Sequence, residues 1–144
     1  MRTILVVDDD SWVRVLARDV LAADGYRVLE ASDGQDAIRV ASEHPGPIHL
    51  LLTDVVMPGM NGCELATGLA ALLPGMKVMF MSAYDRDFLV ARGLNPTGPV
   101  ITKPFTIEYL ARRVRMVLGA ERAAAPRAKR AGPPQPLLRG QAPN

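Results

Sequence analysis

Cysteine is almost absent. The single Cys63 among 144 residues excludes an internal disulfide and a cysteine-based metal cluster, and such sparse use fits a reducing cytoplasm. Long apolar runs are missing too: none approaches the roughly 18 residues a membrane span needs. The N-terminus enters an apolar strand without the basic-then-apolar pattern of a signal peptide. The expectation is a cytoplasmic chain with no membrane insertion. Aromatic residues are only 5% of the chain. A basic face interleaved with stacking rings is therefore missing from the folded part, and direct nucleic-acid binding is not expected. The net charge of +2 is unevenly spread. Residues 120–144 carry Arg122, Arg127, Lys129, Arg130 and Arg139 against Glu121, a net +4, which leaves −2 for the remainder. The length allows about one domain, with no room for a second catalytic one, and no internal repeat is visible.

What is present is a set of short apolar runs, each ending in chemistry. Ile4-Leu5-Val6-Val7 ends in Asp8-Asp9-Asp10, and Leu50-Leu51-Leu52-Thr53 ends in Asp54. Val78-Met79-Phe80-Met81 ends in the hydroxyl of Ser82, and Val100-Ile101 in Thr102-Lys103-Pro104. Runs of this length alternating with segments of helical period predict a doubly wound α/β domain with a parallel sheet. In such a sheet ligands sit beyond the carboxyl ends of the strands. If the first two runs are neighbours, their acids meet at one edge, where like charges repel unless a hard cation neutralises them.

Between the runs, Ser11 is the expected cap of a helix reaching about Asp24, with Val13, Leu16, Val20 and Leu21 inward and Gly25 just past its end. Tyr26 to Ala31 reads as a second strand. Ser32 with Gln35 resembles a capping box for a helix carrying Ala37, Ile38 and Ala41, stopped by Pro45-Gly46-Pro47. Ile48 to Thr53 is the third strand. A loop over residues 57–62 leads to a helix with Leu65, Leu69, Leu72 and Leu73 inward, ending at Pro74-Gly75. Lys77 to Met81 is the fourth strand and Asp85 to Ala91 a short helix. The last helix has Ile107, Leu110, Val114 and Val117 at helical spacing and Gly119 as its stop. From Ala120 the composition turns to Pro, Ala and Arg without apolar periodicity, the pattern of a disordered tail over 120–144.

The ordered set Asp8-Asp9, Asp54-Val55-Val56-Met57-Pro58-Gly59, Ser82-Ala83 and Lys103-Pro104-Phe105 resembles the receiver domain of two-component response regulators. The resemblance spans about residues 3 to 119 and is specific because four motifs occur in one order. It implies a flavodoxin-like (βα)5 domain over 1–119 with a five-stranded parallel sheet in the order 2-1-3-4-5. It implies that Asp54 accepts a phosphoryl group from a phosphohistidine, a role open to a carboxylate nucleophile. The resemblance also implies a Mg2+ site: Asp9 and Asp54 direct ligands, Asp8 acting through water and the Val56 backbone carbonyl a further ligand. Magnesium suits such a set because it prefers octahedral oxygen coordination and keeps several waters. Lys103 would contact a phosphoryl oxygen, and Ser82 would donate its hydroxyl to the phosphorylated aspartate and draw in the loop leading to Tyr84. A cis bond is expected at Lys103-Pro104, since X-Pro bonds adopt cis at modest cost. The implied partners are a histidine kinase or histidine phosphotransfer protein and an output partner the sequence does not name. Catalysis is expected to be limited to the chain's own phosphorylation and dephosphorylation.

Two positions depart from the family pattern. Val100 stands where Tyr or Phe is common, so an aromatic swing there is impossible. The stretch from Gly93 to Lys103 is long, and Gly93-Leu94-Asn95-Pro96 is similar to receivers of hybrid sensor kinases.

Blander roles compete with each functional one. Asp54 alone reads as a turn cap, Lys103 as a surface loop residue and Ser82 as a hydroxyl satisfying backbone at a strand end. Asp10 is read as a solvated acid at a helix start rather than a ligand. His44 and His49 read as a loop and a strand residue, Cys63 as a small helix-start residue, and Trp12 as either partly covering the acids or exposed on the first helix. Two other classes use the same acids. A magnesium phosphohydrolase of the haloacid-dehalogenase type needs Asp-x-Asp, which Asp8-Asp9-Asp10 supplies, but Trp12 stands where Thr or Val is expected. A pseudo-receiver would keep the fold without phosphorylation, against the full set Asp8, Asp9, Asp54, Ser82 and Lys103.

Overall fold

The computed structural model describes residues 1–124. Its elements are β1 (Thr3–Val7), α1 (Ser11–Ala23), β2 (Arg27–Ala31), α2 (Gly34–Glu43), β3 (Leu50–Asp54), α3 (Gly62–Leu72), β4 (Lys77–Ser82), α4 (Arg86–Ala91), β5 (Val100–Thr102) and α5 (Ile107–Ala124). The strands form one parallel sheet in the order β2-β1-β3-β4-β5. The central strands β1 and β3 are buried along their whole length. Successive side chains point to opposite faces, so Leu5, Val7, Leu51 and Phe80 join Leu65, Leu69 and Leu89 of the helices in one cluster. Ile4, Val6, Leu50, Leu52, Met79 and Met81 are buried between them in sequence. A sheet covered on both faces is why these strands read as continuous apolar runs rather than as alternation.

The helix starts differ from expectation by single residues. Asp10, not Ser11, caps α1, its carboxylate accepting the Trp12 N–H at 2.9 Å. Asp33, not Ser32, caps α2 and accepts from the Asp36 N–H at 2.8 Å. Asp and Ser are near-equal caps, so the extended backbone at residues 10 and 33 decides between them. Gly25, just past the Asp24 cap of α1, adopts φ 97°, the left-handed turn expected of it. At the last residue of α3, Leu72 is exposed while Leu65 and Leu69 are fully buried.

Residues 1–112 form one compact unit, and the rest of α5 from Arg113 belongs to a second. In the first, Leu110 is buried and Ile107, the opening residue of α5, is half exposed. In the second, Val114 and Leu118 are the buried positions, and Val117 is partly buried. Gly119 does not end α5, which continues to Ala124. A helical glycine costs only about 1 kcal/mol relative to alanine, and Ala120-Glu121-Arg122-Ala123-Ala124 are strong helix formers. The tail expected from residue 120 therefore starts inside a helix, and residues 125–144 lie outside those described. Among the described residues no helix is long and apolar enough to cross a membrane.

Candidate functional site

The sheet register brings the four chemical strand ends together. Val7 pairs with Thr53, Asp54 with Met81, and Ser82 with Thr102, so Asp8, Asp54, Ser82 and Lys103 emerge at one edge. Backbone hydrogen bonds carry the ladder past the strands themselves. Asp8 N–H donates to the Ala31 carbonyl at 3.3 Å, Val55 N–H to Met81 at 3.0 Å, and Lys103 N–H to Ser82 at 2.7 Å. The site thus sits on rigid backbone. The Lys103-Pro104 bond is cis.

Asp8 is fully buried, Asp54 nearly so, and Asp9 is exposed. One oxygen from each of the three carboxylates falls within 4.8 Å of the others. Lys103 Nζ donates to Asp8 Oδ2 at 2.9 Å and lies 3.4 Å from Asp54 Oδ2. Burial, with the neighbouring Asp8 charge adding to it, pushes the Asp54 carboxyl up to about 6 despite the opposing pull of Lys103. Burial of the Lys103 ammonium disfavours its charge, but the hydrogen bond to Asp8 and the attraction of Asp54 outweigh it, and the lysine is held above its ordinary value. Three ionised carboxylates and one ammonium leave a formal charge of −2 on one sheet edge. An all-oxygen donor set carrying that charge fits a hard divalent cation such as Mg2+, which tolerates open positions filled by water.

Ser82 is buried, and its Oγ accepts the Tyr84 N–H at 2.9 Å. Tyr84 is partly exposed and stacks on Phe88 with ring centroids 4.5 Å apart. The Arg92 guanidinium covers Phe88 at 4.3 Å. Arg86 ties the start of α4 to the following loop through the Pro96 and Gly98 carbonyls, at 2.8 and 2.6 Å. Position 100 is a partly buried valine at the start of β5.

Two residues near the acids were not singled out from the sequence. Gly62 N–H donates to the Val55 carbonyl at 2.8 Å, and a Cβ at this position would land on the Asp54 carbonyl oxygen. Its signal was legible: Gly62 directly follows Asn61, which forms a capping box with Glu64. Arg14 Nη1 donates to the Asp8 carbonyl at 2.7 Å, a contact with no sequence signature. The remaining candidates sit elsewhere. Asp10 is the helix cap described above, and Trp12 is 77% exposed. His49 Nδ1 accepts the Thr3 N–H at 2.9 Å, at the opposite end of β1. His44 caps the end of α2, and Cys63 is half-buried in the first turn of α3.

Residues 4–115 match the response regulator receiver domain. Two curated relatives come from Brucella abortus. The sensor kinase CckA is 35% identical over 118 residues, covering 81% of this chain and 12% of the kinase. The response regulator receiver protein CpdR is 33% identical over 124 residues, covering 82% of this chain and 98% of CpdR. Among solved structures, the receiver domain of the hybrid histidine kinase CckA superposes with a TM-score of 0.69 at 39% identity, covering 81% of this chain and 98% of that one. The chain belongs to the receiver domain family of two-component response regulators. It is a phosphoacceptor in two-component signalling rather than a conventional enzyme, and such domains work with histidine kinases or phosphotransfer proteins and with output partners. The phosphohydrolase and pseudo-receiver alternatives are not favoured.

Proposed function

We propose that Asp54 is the phosphoacceptor and that the site works with Mg2+. The observation that carries this reading is the convergence of the Asp8, Asp9 and Asp54 carboxylates on one point beside the Lys103 ammonium. Asp9 and the Val56 carbonyl are assigned as direct ligands with Asp54, and Asp8 as a ligand through water. When bound, the cation neutralises the crowded acids and offsets charge on the incoming phosphoryl group. Asp54 attacks phosphorus through a carboxylate oxygen as the P–N bond of the phosphohistidine breaks and its electron pair returns to the imidazole. Lys103 then holds a phosphoryl oxygen as a point charge. The Ser82 hydroxyl donates to another and draws the Tyr84 segment toward the site. The same groups support slow hydrolysis of the acyl phosphate by water. The donor is a histidine kinase or histidine phosphotransfer protein, and the setting is cytoplasmic.

Mass spectrometry after incubation with acetyl phosphate and Mg2+ tests the assignment. One phosphate on Asp54 is expected, lost in Asp54→Asn and in excess chelator. Unchanged labelling of that variant, or full labelling without metal, refutes it.

A further inference from the structure

Every polar group of Asp8 is engaged. Its N–H donates to Ala31, its Oδ1 accepts the Asp10 N–H at 2.9 Å, and its Oδ2 accepts Lys103 Nζ. The fourth partner, Arg14, has no role in the reading above: its Nη1 donates to the Asp8 carbonyl at 2.7 Å. Arg14 is itself aimed. Its Nε lies 3.4 Å from Glu30 Oε1 on β2, and the other Glu30 oxygen takes Arg18 Nη1 at 3.0 Å. Both side chains of the Arg14–Glu30 pair are partly buried, 19% and 28% exposed. A guanidinium is a rigid planar fork, so fixing Nε against Glu30 directs Nη1 at the carbonyl.

We propose that Arg14 is a positioning residue for the cation site, an inference that rests on the Mg2+ reading above. The peptide between Asp8 and Asp9 is planar. Clamping the Asp8 carbonyl therefore sets the plane from which exposed Asp9 leaves the strand. The contact is to a backbone oxygen, so Arg14 acts through the direction it imposes on Asp9 and not by touching the cation. Its charge works the other way, since a guanidinium near the acids opposes cation binding. Charge and positioning thus predict opposite signs for one substitution. Loss of charge alone in Arg14→Gln would tighten Mg2+ binding; loss of the clamp weakens it.

The test is a Mg2+ titration of the full chain followed through the fluorescence of Trp12, the sole tryptophan, at the start of α1. Wild type, Arg14→Gln, Arg14→Lys and Asp9→Asn are compared, with thermal unfolding in chelator reporting any general loss of structure. Removing groups that orient metal ligands typically weakens metal binding 10–100-fold. Because Asp8 keeps three partners, Arg14→Gln is expected at about tenfold, the low end of that range. Arg14→Lys is expected to fall between it and wild type, since one ammonium cannot serve Glu30 and the carbonyl in the same geometry. Arg14→Gln binding Mg2+ as tightly as wild type, or more tightly, while Asp9→Asn is impaired overturns the role of Arg14 and leaves the cation site standing. Should Arg14→Gln not fold, unaltered affinity in Arg14→Lys overturns it equally. If wild type and Asp9→Asn titrate alike, the cation site fails and this inference with it.

Discussion

Asp54→Asn should stabilise the metal-free protein at neutral pH while abolishing its phosphorylation. The folded state holds the Asp54 carboxyl at about 6 against an ordinary value of 3.8. Each pH unit between those values is worth about 1.4 kcal/mol, so ionised Asp54 opposes folding by up to about 3 kcal/mol. The sign follows from proton binding. The raised value means that the folded state holds this proton more tightly than the unfolded chain, so wild-type stability falls as pH rises from about 4 to about 6 and levels off above. Asparagine resembles the neutral acid and lacks that slope. Its advantage over wild type should be near zero below pH 4 and full above about pH 6.5. For a folded unit of this size each kcal/mol is worth roughly 3–5 °C, so the gain at pH 7 should approach 10 °C. Thermal unfolding in chelator at half-unit intervals from pH 4 to 8 measures it. Adding Mg2+ should raise wild type and narrow the gap, because a cation that binds the folded state alone stabilises it by mass action. A variant no more stable than wild type at pH 7 in chelator, or equally advantaged at pH 4, would refute the argument that burial, with the Asp8 charge adding to it, penalises ionised Asp54.

Lys103→Met leaves the buried Asp8 and Asp54 carboxylates without their cation, and urea unfolding in chelator at neutral pH should register a loss of about 3 kcal/mol; unaltered stability would mean the lysine does not offset them. Gly62→Ala drives a methyl group onto the Asp54 carbonyl and is expected to cost about 1–3 kcal/mol and to slow labelling by acetyl phosphate, both read from one preparation by unfolding and intact-mass measurements. Ser82→Ala should retain labelling but lose the amide shifts that a beryllofluoride mimic produces around Tyr84, since Ser82 Oγ already holds the Tyr84 N–H and Val100 cannot swing as an aromatic would; equal shifts in both proteins count against this route.

The strands and the chemistry at their carboxyl ends were legible in the local residue pattern, and the strand order followed from the family resemblance. Apolar runs of strand length that end in Asp8, Asp54, Ser82 and Lys103 are local features, and a parallel sheet necessarily puts the carboxyl ends of neighbouring strands together. The sequence did not settle which of two adjacent residues caps a helix. Ser11 lost to Asp10, and Ser32 to Asp33, because the cap is chosen by backbone dihedrals set as the chain leaves the sheet. Burial at helix ends was equally out of reach: Leu72 and Ile107 fit the apolar period, yet each stands at a helix terminus and is exposed. The electrostatics also belong to the tertiary structure, since the upward push on Asp54 depends on burial and on its approach to Asp8, 46 residues away in sequence. Arg14 is the clearest case. In the sequence it is one arginine on a helix, and its aim at the Asp8 carbonyl exists because β2 carries Glu30 alongside it. Residue types and their period are written locally, whereas the direction of a side chain is decided by what the fold brings next to it.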